Sequence, residues 1–158
     1  MRRAQRWVKA NLTFSESTNI SFFEIVIRVL GGLISAHQLT GDALLLEKAR
    51  DLADRLMPAF STSSTGIVDS AARLPRADTG MPTGVSCLVE FGSDTLEFGS
   101  LTALTGEERY REGAEKGIRF VHGKHPNHAL LSNDIDRATG SETGRDFGIG
   151  PRGDSYYE

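Results

Sequence analysis

Between Ser21 and Leu33 the chain reads Ser-Phe-Phe-Glu-Ile-Val-Ile-Arg-Val-Leu-Gly-Gly-Leu, an apolar run broken by one polar stripe. Glu24, Arg28, Gly31, Gly32 and Ser35 fall at i, i+4, i+7, i+8 and i+11, the spacing of one face of a 3.6-residue helix. Phe22, Phe23, Val26, Ile27, Val29, Leu30, Leu33 and Ile34 cover nearly all the rest. The pattern therefore predicts a buried helix over 21–38 whose charged stripe faces something other than bulk water. A mid-helix glycine costs about 1 kcal/mol relative to alanine, so Gly31 and Gly32 on the stripe point to room kept for a ligand beside Glu24 and Arg28. The plainer alternative is a solvated i,i+4 ion pair, worth under about 1 kcal/mol.

The same pattern recurs along the chain. Leu39-Thr-Gly-Asp42 and Leu104-Thr-Gly-Glu107 each follow an apolar helical stretch and precede an acidic, amphipathic one. Gly41 and Gly106 suit a left-handed helix end, and the acid after each suits the start of the next helix. Two αα-hairpins follow. The outer helices are Ala43 to Leu56, with apolar Leu45, Leu46, Ala49, Leu52, Ala53 and Leu56, and Glu108 to Val121, with Tyr110, Ala114, Ile118 and Val121. The inner helices are 21–38 and a second at about 85–103. Between the hairpins, 58–84 is rich in Ser, Thr, Gly and Pro and reads as a long loop, with short strands near 66–68 and 72–74. A third segment, 130–150, ends in a Gly/Pro loop before Asp154-Ser-Tyr-Tyr-Glu158. Repeat units need neighbours on both sides, so two and a half hairpins read as an all-α arc of a larger ring.

Composition narrows the partners. The chain has 158 residues, 39% of them apolar and 25% charged, which is globular. A net charge of −3 and a pI near 5.8 provide no basic field for nucleic acid. No run of 18 apolar residues is free of charge, so neither a transmembrane helix nor direct membrane contact is expected. Cys87 is alone and can form no intrachain disulfide. The basic start Met1-Arg-Arg-Ala-Gln-Arg-Trp-Val-Lys9 has no apolar signal core behind it, so no targeting segment is expected in this chain. Asn11-Leu-Thr13 and Asn19-Ile-Ser21 are glycosylation sequons, relevant only in a secretory lumen.

Three constellations carry candidate chemistry. Glu24 and Arg28 form the first. Glu90, Asp94 and Glu97, at i, i+4 and i+7 beside Leu88, Val89, Leu96 and Leu101, form an acidic stripe whose like charges repel by a few tenths of a kcal/mol. A ligand, a cation, a basic partner or plain water would relieve that repulsion. The third is the Gly/Pro-rich segment 148–158, which can bring Arg152 and Asp154 onto a tightly shaped loop; Ser155 and Glu158 also match a simple capping box. Paired carboxyl groups, one protonated and one ionised, are what glycosidic hydrolysis requires, with arginines and further acids to grip sugar hydroxyls.

Phe22-Phe-Glu-Ile-Val-Ile-Arg-Val-Leu-Gly-Gly-Leu-Ile-Ser-Ala36, Leu39-Thr-Gly-Asp42, Arg55-Leu-Met-Pro-Ala-Phe60, Leu96-Glu-Phe98, Leu104-Thr-Gly106 and Gly153-Asp-Ser-Tyr-Tyr-Glu158 closely resemble, in family order, the class I α-1,2-mannosidases, glycoside hydrolase family 47. The resemblance implies an (α/α)7 barrel of alternating inner and outer helices. It implies trimming of α-1,2-linked mannose from N-glycans in the endoplasmic reticulum or Golgi, with inversion and a bound calcium ion. By position in the motifs, Glu24 matches the acid that protonates the leaving oxygen through water, and Asp154 a second catalytic acid. Arg28 and Arg152 match substrate-gripping arginines, and Glu90 and Glu97 match acids lining the sugar subsite.

Two departures stand out. Thr62 to Val68 and Arg73 to Gly84 do not follow the family course. Family domains are also several times longer, so the general base and the calcium-ligating Thr are expected beyond this chain, leaving no metal ligand within it. Inversion needs two carboxyl groups about 6.5–9.5 Å apart around a water, so a chain with one of them should be inactive alone. The expectation is a partial catalytic domain over 1–158 of an α-1,2-mannosidase. The alternatives are a non-hydrolytic, mannose-binding relative from glycoprotein quality control, or a helical scaffold unrelated to sugars.

Overall fold

The computed structural model describes residues 2–77, 83–127 and 129–158. Residues 78–82, within the loop expected over 58–84, lie outside the described residues.

Helix α1, Arg2–Asn11, opens the chain, an element the basic start did not announce. Strand β1, Thr18–Ser21, leads into helix α2, Phe22–Thr40. Ser21 caps α2, its hydroxyl accepting the Glu24 N–H at 3.3 Å. At the other end Gly41 turns left-handed (φ 70°), and its N–H donates to the His37 carbonyl at 2.7 Å. Asp42 then caps α3, Ala43–Leu56, its carboxylate accepting the Leu44 N–H at 3.1 Å. A short 3-10 turn, Met57–Ser61, follows. The second hairpin repeats the device, with Gly106 (φ 76°) between helix 94–105 and helix 108–124.

The two hairpins share one core. An aromatic chain runs across it from Phe22 to Phe60 (ring centroids 5.6 Å apart), Phe98 (5.2 Å) and Tyr110 (6.4 Å). Val26, Leu30, Leu52, Leu56, Leu88 and Leu101 fill the space around them and are fully buried. At about 1.5–3 kcal/mol per buried side chain of this size, this cluster is the main cohesive element. By length and composition alone α2 could cross a membrane, but its Phe22, Val26, Leu30, Leu33 and Ile34 pack into this core.

Four expectations are corrected. First, α2 is not buried all round; Arg28, Gly32 and Ser35 are exposed and Glu24 is only half-buried. Its residues Ile25–Leu30 wind as a π-helix, and the Gly31 N–H reaches the Val26 carbonyl five residues back. Such a widened turn shifts the phase that a 3.6-residue period assumes. Second, the inner helix of the second hairpin does not start at 85. Val85–Cys87 form β3, paired antiparallel with β4, Asp134–Asp136, with Ser86 opposite Ile135. Helix α4, Leu88–Gly92, begins where the Leu88 N–H meets the Asn133 carbonyl at 3.1 Å. A break at Ser93, whose hydroxyl donates to the Val89 carbonyl at 2.5 Å, separates α4 from α5, Asp94–Thr105. Helix α6 is Glu108–Lys124.

Third, Gly66 to Val68 is not a strand, whereas Ala71–Leu74 is β2, pairing with β1 from Thr18 opposite Leu74 to Ser21 opposite Ala71. Fourth, 130–150 is no half-hairpin; it holds β4 and isolated bridges, Ser132 to Phe147 and Ile135 to Glu142. A buried arginine fastens this segment to the loop. The Arg137 guanidinium pairs with Asp69 at 3.0 Å and donates to the Ile67 carbonyl at 3.2 Å and Thr62 Oγ1 at 2.7 Å. Its carbonyl accepts the Ser63 and Thr65 hydroxyls at 2.7 and 2.6 Å.

Candidate active site

The polar stripe of α2 brings Glu24 and Arg28 together. Arg28 Nε donates to Glu24 Oε2, and Nη2 to Oε1 at 3.3 Å. The hydrogen bond from Arg28 holds the Glu24 carboxyl below its usual range. The glycines of the stripe serve different ends. A Cβ on Gly31 would meet Glu97 Oε1 at 3.2 Å, so Gly31 makes room for a side chain of the neighbouring helix rather than for a ligand. Gly32 has nothing within 4 Å of that position.

Behind α2 stand α4 and α5 with the acidic stripe. Glu90 receives a hydrogen bond from the Phe23 backbone and interacts with Ser70, beside the start of α2. Asp94 is completely buried, and neither of its carboxylate oxygens has a hydrogen-bond partner among the described residues; the same holds for Glu90 Oε2 and Glu97 Oε2. Burial pushes the carboxyls of Glu90 and Glu97 up, and pushes Asp94 well above the usual range, reinforced by the charges of Glu97 and Glu90. Withdrawal from water disfavours the charged form, so burial acts on these three acids in the direction opposite to that of Arg28 on Glu24. Asp94 is the residue whose weight sequence reasoning missed. Its i+4 spacing from Glu90 was visible, but nothing in the spacing distinguishes a sealed carboxyl from a wet one.

The third constellation is held by aromatic packing. Tyr156, in the short helix α7, Asp154–Tyr157, lies edge-on to Phe91 at 5.9 Å and sits directly over Gly92. The Tyr157 hydroxyl accepts the Leu131 N–H at 2.8 Å. This clamp sets Arg152, in a left-handed conformation (φ 75°), against β3 and β4. The Arg152 side chain pairs with Asp134 and contacts Cys87, its charge reaches Glu90, and its carbonyl accepts the Val89 N–H at 3.3 Å. Asp154 is exposed, its carboxylate accepting the Ser155 N–H at 3.0 Å.

A cavity of about 390 Å³ is bounded by Ile27 of α2, by Gly92, Ser93, Thr95, Leu96 and Glu97 around the break between α4 and α5, and by Ser155 and Glu158. Of the residues singled out in the sequence only Glu97 lines this cavity; Glu24, Arg28, Glu90, Arg152 and Asp154 are not among its lining residues, although α2, α4 and α7, which carry or adjoin them, border it. The arrangement offers carboxyls shifted in opposite directions together with two arginines. Among the described residues no group of three His, Cys, Asp or Glu is placed to hold a metal ion, so these residues do not by themselves fit a calcium site.

The chain matches the model of glycosyl hydrolase family 47 over residues 1–158. It is 38% identical to the endoplasmic reticulum mannosyl-oligosaccharide 1,2-alpha-mannosidase of Homo sapiens, over 98% of this chain and 23% of that protein. It is likewise 38% identical to a mannosyl-oligosaccharide 1,2-alpha-mannosidase of Arabidopsis thaliana, over 99% of this chain and 28% of that protein. The chain therefore spans about a quarter of the length of these relatives. Among solved structures, an alpha-1,2-mannosidase from Trichoderma reesei superposes with a TM-score of 0.84 at 25% identity, covering 99% of this chain and 36% of that one.

Proposed function

The chain belongs to glycosyl hydrolase family 47, its hairpins forming an arc of that family's (α/α)7 barrel, and we propose that the protein carrying it is an inverting α-1,2-mannosidase acting on high-mannose N-glycans in the endoplasmic reticulum or Golgi lumen. The observation that supports this reading is that the matches to proteins named 1,2-alpha-mannosidases cover 98–99% of the chain, the span that holds all three constellations. In this reading Glu24 donates a proton to the leaving oxygen through water, and Asp154 acts as a second catalytic acid. Arg28 and Arg152 grip sugar hydroxyls, and Glu90 and Glu97 line the subsite. The family's calcium would be held with help from outside the described residues, and no step here is routed through it.

The geometry adds one requirement. A general acid must hold its proton near working pH, whereas Arg28 lowers the Glu24 carboxyl in the unliganded chain. Substrate hydroxyls must therefore draw the guanidinium off Glu24, which then rises toward the range where it can donate. Binding and activation of the acid become one event, because a single arginine serves both.

The test uses α-1,2-linked mannobiose and the protein carrying this chain. Glu24→Gln should lower kcat by roughly 10²–10⁴-fold with little change in sugar affinity, since the amide keeps the shape and loses the proton. Arg28→Ala should weaken affinity as well, by leaving ligand hydroxyls unpaired. Full activity in Glu24→Gln, or mannobiose binding by the unmodified protein without mannose release, overturns the reading.

A further inference from the structure

Gly31 is a glycine whose backbone does not require one. It stands within α2 in ordinary right-handed helix (φ −59°, ψ −40°), where alanine is the better helix former. What Gly31 provides is the missing side chain. A Cβ at this position would lie 3.2 Å from Glu97 Oε1 and 3.3 Å from Glu97 Cγ, whereas the next atom, the Val26 carbonyl oxygen, is at an ordinary 3.6 Å. Two atoms of one side chain crowd the same spot, so Glu97 of α5 lies along the bare backbone of α2. A methyl group there would push Glu97 off by a few tenths of an ångström.

Further observations join this contact to the cavity. Glu97 lines the cavity, and so does Ile27, one turn before Gly31 on α2. The π-helical stretch Ile25–Leu30 runs through Ile27 and closes on Gly31, whose N–H donates to the Val26 carbonyl. Widened turns of this kind occur frequently at functional sites. The Glu97 carboxyl also has an uncommitted oxygen: Oε2 has no hydrogen-bond partner among the described residues. The bare backbone at Gly31 thus bounds where Glu97 can stand on the cavity wall.

We propose that Gly31 is a positioning residue for Glu97: by carrying no side chain it lets this acid lie against α2, and so sets where the carboxyl meets the hydroxyls of a bound sugar. This rests on the mannoside reading, in which Glu97 lines the subsite. Gly31 acts through Glu97 alone and touches no ligand itself. The widened turn before it belongs to the same device, because it brings Ile27 and Gly31 to the cavity side of α2 together.

The test is a double-mutant cycle of Gly31→Ala and Glu97→Ala in the protein carrying this chain, read by two measurements. The first is turnover of α-1,2-linked mannobiose. Gly31→Ala should raise KM about tenfold with kcat changed by less than about twofold, the mark of a displaced binding group. Glu97→Ala should raise KM at least as much, and adding Gly31→Ala to it should raise KM no further. A merely structural role would not produce this split, and an unchanged KM in Gly31→Ala, or the same rise with and without Glu97, overturns the proposal. The second measurement is thermal unfolding. Gly31→Ala should lower the midpoint when Glu97 is present and raise it in the Glu97→Ala background, where only the gain in helix propensity remains. If Gly31→Ala alone does not fold, the double variant should; a double variant that also fails to fold, or a midpoint that moves alike in both backgrounds, overturns the proposal. Absence of mannobiose turnover by the unmodified protein, with the unfolding cycle as expected, counts against the mannoside reading alone.

Discussion

Arg137 is the perturbation with the largest expected effect on stability. It and Asp69 are 7% and 9% exposed, and their 3.0 Å ion pair joins the loop after α3 to β4. Arg137→Ala removes that pair together with the donors to the Ile67 carbonyl and Thr62 Oγ1. Breaking a buried pair from one side costs about 3–5 kcal/mol, because the surviving charge stays buried. Asp69 is not left bare, since it still accepts the Thr83 N–H at 2.9 Å and the Ala71 N–H at 3.3 Å. The expected loss is therefore at the low end, about 3 kcal/mol, or about 6–12 °C in melting temperature for a domain of this size. Urea unfolding, compared at matched slopes, measures it. Asp69→Asn should cost less, because the guanidinium keeps its other two acceptors. The double substitution Arg137→Met with Asp69→Asn should recover part of the loss, since no uncompensated charge remains. A cost for Arg137→Ala within about 1 kcal/mol of zero would refute the latch.

Three further outcomes follow from local geometry. Gly92→Ala would place a Cβ 2.6 Å from Tyr156 Cδ2 and 3.0 Å from its Cα, forcing α7 outward at a cost of about 1–3 kcal/mol, whereas Gly32→Ala meets open space and should stabilise α2 by up to about 1 kcal/mol; equal effects in urea unfolding would contradict the packing. Tyr157→Phe leaves the N–H of buried Leu131 without its acceptor, for a loss of about 1–3 kcal/mol by the same measurement, and an unchanged midpoint would remove the hydroxyl from the clamp. Arg28→Ala should let the Glu24 carboxyl rise toward its ordinary range in an NMR titration. The pair stabilises only above the unfolded value of Glu24 and is lost as pH falls through the folded value, so the variant should also be less acid-sensitive; an unmoved titration would show that Arg28 does not control this acid.

What could be read from the sequence follows the range of the forces involved. The Gly41 and Gly106 helix ends and the outer helix Ala43–Leu56 were legible because capping and a 3.6-residue period are local. The strand at Val85–Cys87 was not, since its partner Asp134–Asp136 lies far along the chain and pairing there overrides an apolar run that also suits a helix. The π-helical turn at Ile25–Leu30 escaped for a related reason: it costs one register step that no residue type announces. In the site, the residue types and the meeting of α2 with α4 and α5 were foreseeable from the stripes. The sealed state of Asp94 and the latch at Arg137 were not, because burial is a property of what closes over a residue rather than of its neighbours in sequence.

The two acidic halves of the site differ in one physical respect that the fold imposes. Glu24 sits on a solvated face with its counter-charge one turn away, so it stays ionised and costs little to leave exposed. Glu90, Asp94 and Glu97 stand behind a helix and a clamp of tyrosines, where burial favours the proton. A neutral, hydroxyl-rich ligand against α2 would exclude water from the first half and offer partners to Arg28. These changes act on Glu24, whose carboxyl rises as Arg28 is drawn off. A cation there would compete with Arg28 for Glu24, whereas hydroxyl groups can pair with both members of that ion pair.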